Sequence, residues 1–183
     1  MLVVAVLLLI TLSGCAQGAI DADKAAELSR KIREHYRETG ANWVSPKMLR
    51  EMNLTRNSKP IMYVLSSTSC ADCREFLASF KSIHPTSLSS ITSQFLSVLA
   101  LDDYVLEMGP AFSPPKSDYL PRVFFGDSDG QVNYDFINPN SEASAPFYYF
   151  SAEELVGAMR RFLQQHRQQL GSDVYPADLQ QDM

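Results

Sequence analysis

A short apolar run followed at once by two closely spaced cysteines constrains the fold of this chain more than any other feature. Residues 60–66, PIMYVLS, are apolar and rich in β-formers, which predicts a buried central strand. Residues 71–83 then place four side chains on one face of a helix: Cys73, Phe76, Leu77 and Phe80. Cys70 and Cys73 therefore lie where a strand passes into a helix.

The position at the start of a helix predicts a redox-active pair. Two cysteines three residues apart can close a disulfide where the chain turns tightly into a helix. Unpaired N–H groups and the helix dipole favour the thiolate form of Cys70, and Cys73 lies one turn further in. We therefore expect Cys70 to attack a disulfide and Cys73 to resolve the mixed disulfide.

The cysteine pair has two other conceivable roles, a metal site and a structural role. A structural zinc site needs four ligands, whereas this chain offers one such pair with only His84 nearby, so no metal ion is predicted. An inert buried pair or a permanent structural disulfide is the other alternative. No cofactor is predicted either.

The remaining pattern predicts an α/β domain. QFLSVLALD, residues 94–102, is a second buried strand, preceded by a Ser-rich helix or loop over 86–94. Residues 102–119 form a long connection with three prolines, and 122–137 predict a hairpin. Ser151 and Glu154 form a capping-box pattern that opens a closing helix. This order of elements predicts a three-layer fold with a central mixed sheet.

The ends of the chain differ from this domain. Residues 1–18 read as a secretory signal peptide, because an apolar run is followed by small residues. An amphipathic helix and a linker with Trp43, which docks onto the core, occupy 19–45. The domain itself is predicted over 46–170, with a polar tail over 171–183.

Composition excludes several classes of function. A net charge of −5 argues against nucleic acid as a partner. The N-terminal apolar run is too short for a stable membrane span. LSGC, ending at Cys15, also matches a bacterial lipobox, so a periplasmic lipoprotein reductase anchored at Cys15 is an alternative reading. Without Cys15, only Cys70 and Cys73 remain, which excludes a disulfide-dense scaffold.

A strand, CxxC, a helix and a later proline before a strand together resemble the thioredoxin fold. YLPRVFF supplies Pro121 as the cis-proline that this fold places beside the dithiol. In that family the preceding residue, here Leu120, presents its backbone to an extended peptide substrate. The resemblance therefore implies that Leu120 and Pro121 bind substrate.

Most of the chain after the predicted signal peptide is similar to the anterior-gradient group of the protein disulfide isomerase superfamily, and the similarity is closer from Phe112 onward. The similarity rests on FSP at 112–114, YLPRVFFGDSDGQV, INPN and FYYFSAEELVGAM, together with NWV at 42–44. It implies a thiol–disulfide oxidoreductase in the endoplasmic reticulum lumen or secreted. Its implied partners are client proteins with thiols or disulfides, with glutathione as a redox partner. The alternative is a non-catalytic client-binding module or chaperone, as in relatives that lack one cysteine.

Three departures from this family bear on activity. Ser69 occupies the position of the usual tryptophan, and Val64 occupies that of a buried acid that moves the proton of the resolving thiol. The chain ends LQQDM where the group has a KDEL-like signal, so both retention and secretion stay open.

The residues around Cys70 are the candidates that tune the dithiol: Ser69, Ala71 and Asp72. The Asp72 carboxylate opposes thiolate formation, which predicts a more reducing dithiol than that of an isomerase. Asn53 begins an N-glycosylation sequon, Asn53-Leu54-Thr55. The aromatic residues at 147–150 are predicted mainly to pack against the core and the sheet edge, with a peptide-binding surface as the alternative.

Overall fold

A four-stranded mixed sheet forms the centre of the described part of the chain. The structure is a computed structural model that describes residues 43–113 and 119–174, together with Arg30, Glu34, Tyr36 and Arg37. The strands are β1 Trp43–Val44, β2 Ile61–Ser66, β3 Leu96–Leu101 and β4 Arg122–Gly126. Their order across the sheet is β1-β3-β2-β4, with β4 antiparallel to β2 and the other pairs parallel. The prediction of an α/β protein with a mixed sheet is confirmed.

Helices cover both faces of this sheet. They are α1 Pro46–Glu51, α2 Ala71–Ser79, α3 Pro85–Thr92, α4 Asp103–Glu107 and α5 Ala152–Val174. Short 3-10 turns occupy Leu54–Arg56, Phe80–Ser82 and Pro110–Phe112. The connection over 102–119, where the prolines predicted little regular structure, contains the short α4 and the 3-10 turn Pro110–Phe112.

The central strands are apolar on both faces because each face is covered by helices. Met62 and Val64 of β2 belong to a core shared with α2, α3 and α5. The alternate residues of β2 belong to a second core with side chains of α1 and α4: Ile61, Tyr63 and Leu65. Side chains of β2 thus alternate between two cores, and the described residues form three layers.

The segment around Trp43 belongs to the sheet rather than to a linker. Trp43 and Val44 form β1 and pair with Ser97 and Val98 of β3. The Trp43 indole N–H donates to the Tyr36 carbonyl oxygen, and the two rings meet edge to face with centroids 5.1 Å apart. The predicted docking of Trp43 on the core is confirmed. The four described residues of the predicted N-terminal helix are helical.

The predicted hairpin forms only in part. β4 and the turn at 127–130 are present, but Val132 makes only an isolated bridge to Gly126. The Asn133 side chain accepts hydrogen bonds from the N–H groups of Asp135 and Phe136, at 3.0 and 3.2 Å, which turns the chain away. Such local side-chain bonds compete with a strand ladder, so the expectation of a second hairpin strand was wrong.

The closing helix begins where the capping pattern predicts. The Ser151 hydroxyl oxygen accepts a hydrogen bond from the Glu154 N–H at 3.3 Å, and the Glu154 carboxylate accepts one from the Phe150 N–H at 2.9 Å. α5 extends to Val174, beyond the predicted start of the tail at Gly171. Gln, Arg and Leu, which favour helix, make up six of the seven residues at 164–170, just before that point. No helix in the described ranges is long and apolar enough to span a membrane.

Candidate functional site

The two cysteines lie at the junction between β2 and α2, as the sequence predicts. Cys70 is the N-cap of α2, and its sulfur accepts a hydrogen bond from the Cys73 N–H at 3.1 Å. The two sulfurs lie within bonding distance, with the Cα atoms 5.2 Å apart. This geometry is compatible with a redox motif.

The two sulfur-bearing residues differ in exposure. Cys70 is half-buried, whereas Cys73 is 2% exposed because α2 turns it toward the core that contains Phe76. An approaching molecule therefore meets Cys70 before Cys73.

The segment at the start of β4 completes the surroundings of Cys70. Its sulfur lies 3.4 Å from the Leu120 carbonyl oxygen, across 50 residues of sequence. β4 is the antiparallel neighbour of β2, with Leu65 opposite Arg122, which brings this segment to the end of β2. The Leu120–Pro121 peptide bond is cis, as expected, and Leu120 is half-buried while Pro121 is buried. The structure thus brings together the two predicted parts of the site.

The predicted tuning residues surround the dithiol and are exposed: Ser69, Ala71 and Asp72. The Ser69 N–H donates to the Ser67 hydroxyl oxygen at 3.2 Å, and the two hydroxyl oxygens lie 3.0 Å apart. Asp72 lies in the first turn of α2. Val64, which the sequence analysis named as a departure from the thioredoxin pattern, is fully buried on the sheet face that α2 covers.

Asp102 is a part of this site that the sequence analysis missed. One carboxylate oxygen accepts three hydrogen bonds: from the Ser67 hydroxyl at 3.0 Å, the Thr68 N–H at 2.8 Å and the Thr68 hydroxyl at 3.0 Å. Its backbone adopts φ 52° and ψ −116°, a conformation that non-glycine residues rarely adopt. Asp102 therefore fixes the loop that leads from β2 to Cys70.

A signal for Asp102 was present in the sequence. It follows β3 directly, and β3 is the parallel neighbour of β2. Parallel neighbouring strands end at the same edge of a sheet, so a carboxylate after β3 lies close to the loop after β2. The sequence predicted the strand before Asp102 but not its place beside β2, so the sequence alone did not bring Asp102 to this loop.

Three aromatic side chains continue the surface from Leu120. We call Tyr119, Tyr148 and Phe150 the aromatic strip. Tyr119 and Tyr148 meet edge to face with centroids 6.2 Å apart, and Tyr148 and Phe150 do so at 4.8 Å. Phe150 is 57% exposed and both tyrosines are half-buried, while their chain neighbours Phe147 and Tyr149 are buried. Alternate residues of 147–150 therefore lie in the core and at the surface, so the predicted core packing is confirmed for two of them, while a peptide-binding role stays a prediction.

Carboxylates surround the middle of this strip. Partial burial raises the pKa of Tyr148 above its ordinary value, and the Asp72 carboxylate raises it further by its charge and by a hydrogen bond. Glu75 and Glu154 also raise the pKa of Tyr148 through their negative charges. The pKa of Tyr119 is raised chiefly by burial, against a hydrogen bond from Phe147 and the charge of Arg122. The part of the strip around Tyr148 thus combines aromatic rings with nearby carboxylates.

The other predicted residues lie apart from this site. Asn53 is exposed, and its side-chain oxygen accepts from the N–H and the hydroxyl of Thr55 at 3.1 and 2.6 Å. His84 is exposed as the N-cap of α3. In the part of the chain that the structure describes, no three His, Cys, Asp or Glu residues form a group able to hold a metal ion. Cys15 and the predicted signal peptide lie outside the described residues.

No protein-family model matches this chain. A half-buried sulfur at a helix start, with a buried partner sulfur within bonding distance, is compatible with thiol–disulfide exchange.

Proposed function

We propose that this protein is a thiol–disulfide oxidoreductase with a thioredoxin-type fold, acting through Cys70 and Cys73. The observation that carries the proposal is the position of Cys70. It caps the helix after a central strand, and its sulfur lies 3.4 Å from the carbonyl oxygen that precedes Pro121. Unpaired N–H groups at this helix start stabilise a thiolate, the nucleophile in disulfide exchange.

The proposed reaction begins with the reduced protein and a client disulfide. The Cys70 thiolate attacks one sulfur of the client, which forms a mixed disulfide and releases the other client sulfur as a thiolate. Cys73 then loses its proton and attacks the Cys70 sulfur, which releases the first client sulfur. The client gains two electrons and two protons as a dithiol, and the protein retains the Cys70–Cys73 disulfide. The reverse sequence introduces a disulfide into a reduced client.

The proposed clients are proteins with accessible thiols or disulfides in an extended segment. Leu120 is half-buried beside the Cys70 sulfur, so its backbone lies where an extended segment can add as a strand. The resemblance to the anterior-gradient group supports a place in the secretory pathway, in the endoplasmic reticulum lumen or outside the cell. Glutathione is then the proposed small redox partner.

We further propose that this dithiol is more reducing than that of a disulfide isomerase. Asp72 is exposed in the first turn of α2, where its negative charge opposes the thiolate of Cys70. Val64 offers no acidic group near the core side of the dithiol, so proton transfer involving Cys73 requires water or another group. A less stabilised thiolate makes the reduced form less stable and the protein a weaker oxidant.

The test compares the wild-type protein with Cys70→Ser and Cys73→Ser. Equilibration in glutathione buffers gives the reduction potential, while insulin reduction and oxidative refolding of a reduced client give the activity. We expect Cys70→Ser to lose both activities, and Cys73→Ser to accumulate a mixed disulfide with the client. Full activity of Cys70→Ser would contradict the proposal. A wild-type protein without redox activity that still prevents client aggregation would favour the client-binding alternative.

A further inference from the structure

The aromatic strip begins beside the reactive sulfur and leads away from it. Leu120 lies 3.4 Å from the Cys70 sulfur, and Tyr119 precedes it in the chain. From Tyr119 the rings continue to Tyr148 and Phe150, with steps of 6.2 and 4.8 Å between centroids. Together, the two steps span the length of about three residues of extended chain, at ~3.3 Å per residue. A client segment paired at Leu120 therefore has its neighbouring residues within reach of the strip.

The strip is held in place by the core behind it. The Tyr119 hydroxyl oxygen accepts a hydrogen bond from the Phe147 N–H at 3.1 Å, and the Tyr148 carbonyl oxygen accepts one from the Asn138 side chain at 2.7 Å. The Phe150 N–H donates to Glu154 at 2.9 Å. These bonds hold the Tyr119 side chain and the backbone of Tyr148 and Phe150, so less conformational freedom is lost when a segment binds here.

The charges around the strip are mainly negative. Asp72 and Glu75 are exposed and lie three residues apart on α2, which places them on one side of that helix. Glu154 lies in the first turn of α5, against the backbone of Phe150. All three carboxylates act on the Tyr148 hydroxyl. A client residue over Tyr148 or Phe150 therefore meets aromatic faces and negative charge together.

Two arginines lie near the strip, whereas the charges that act on the Tyr148 hydroxyl are those of the three carboxylates. Arg74 is exposed, and its guanidinium donates to the Thr68 carbonyl oxygen at 3.4 Å, toward the loop before Cys70. Arg122 is 5% exposed, and its guanidinium carbon lies 5.9 Å from the centre of the Tyr119 ring. Because Arg122 is buried, its side chain is not available at the surface.

We propose that the aromatic strip and its carboxylates form a specificity subsite for client segments with an arginine or lysine near the reacting cysteine. This inference rests on the proposed oxidoreductase function and names the class of client. A cation is attracted to an aromatic face within about 6 Å of its centre, and most strongly where carboxylates are also close. The subsite thus selects cationic client segments over neutral or acidic ones.

The test uses two pairs of peptides, and the members of each pair differ in charge alone. Each is an eight-residue peptide closed by a disulfide, with either arginine or its neutral isostere citrulline two residues from one cysteine. A second pair places this residue on the other side of the cysteine. The reduced wild-type protein is mixed with each peptide, and the rate constant of peptide reduction is measured. One peptide disulfide is reduced for each Cys70–Cys73 disulfide formed.

We expect the arginine peptide of at least one pair to react about threefold to tenfold faster at low salt, which corresponds to one cation over an aromatic ring with nearby carboxylates. The ratio is expected to fall toward one at about 1 M salt, because exposed charges are then screened. Ratios of one in both pairs would overturn the inference. Reduction of the citrulline peptides would still support the proposed oxidoreductase, whereas no reduction of any peptide would contradict both.

Three variants locate the preference. Phe150→Ala removes one ring of the strip, and Glu75→Gln removes the charge of one nearby carboxylate. Both variants are expected to lower the ratio of the arginine-peptide rate to the citrulline-peptide rate. Glu51→Gln removes the same charge from α1, outside the strip, and is expected to leave the ratio unchanged. A ratio that survives both strip variants, or that falls equally in Glu51→Gln, would overturn the assignment to this surface. Because each ratio compares two peptides on one variant, a general loss of activity does not affect it.

Discussion

Asp102 provides the most direct test of how the loop before Cys70 is held. Its carboxylate accepts three hydrogen bonds from Ser67 and Thr68, at 2.8 to 3.0 Å. Its backbone has a positive φ of 52°. Asp102→Ala removes the acceptor and keeps the backbone strain, whereas Asp102→Gly removes the acceptor and relieves the strain. Asp102→Asn keeps an oxygen acceptor in the same place.

These differences predict an order of stability. Thr68 is only 8% exposed, and leaving a buried donor without an acceptor costs about 1–3 kcal/mol. Asp102 itself is half-buried, so water replaces part of the loss, and we expect Asp102→Ala to cost about 2 kcal/mol. Relief of backbone strain returns about 1 kcal/mol in Asp102→Gly. Asp102→Asn is expected to cost less than about 1 kcal/mol.

Urea unfolding of the oxidised protein measures this order. The free energy of unfolding is expected to decrease from wild type to Asn, then Gly, then Ala at position 102. Asp129→Ala is the control, because Asp129 is exposed and its side chain is expected to contribute little. In the reduced state, we expect the Cys70 thiol of a variant with a looser loop to react faster with a thiol reagent than the Cys70 thiol of the wild type. A glycine variant less stable than the alanine variant would refute the strain argument, and an alanine variant as stable as wild type would refute the whole account.

Three further predictions concern the dithiol, a buried tyrosine and a helix cap. Asp72→His is expected to raise the reduction potential of the dithiol in glutathione buffers, because a positive neighbour stabilises the thiolate. Burial, with the charges of Asp127 and Tyr134, raises the pKa of Tyr63 from 10.0 to about 12. Tyr63 therefore contributes stability that is complete below pH 10 and is lost as pH rises through about 12, so Tyr63→Phe flattens that part of the unfolding profile. Ser151→Ala removes the cap of α5 and is expected to cost about 1 kcal/mol in urea unfolding.

Each of these predictions has an outcome that contradicts it. An unchanged or lower potential in Asp72→His would exclude the proposed role of that carboxylate. A Tyr63→Phe protein whose stability falls between pH 10 and 12 as steeply as that of wild type would contradict the raised pKa. For Ser151→Ala, the matched control is Ser144→Ala in an exposed loop, and equal stability of the two variants would show that the cap contributes nothing.

The sequence predicted the elements of the site better than their surroundings. β2 and α2 were predicted close to their observed bounds, because their hydrophobic patterns depend on neighbours within one element. The second hairpin strand was predicted wrongly, since alternation at 131–137 matched a strand while Asn133 turned the chain. β1 was missed because a strand of two residues is too short to show a period.

The sequence by itself determined the position of the dithiol. Cys70 caps α2 and Cys73 lies one turn inside it, because a helix fixes such spacings locally. The resemblance to the thioredoxin fold placed Leu120 and Pro121 beside the dithiol, and the tertiary structure alone decided what else lies around Cys70. Leu120, Asp102 and the aromatic strip are separated from it by 30 to 80 residues, and they meet because of the strand order β1-β3-β2-β4 and its register. Strand order results from the packing of all elements together, and no local pattern in the sequence specifies it.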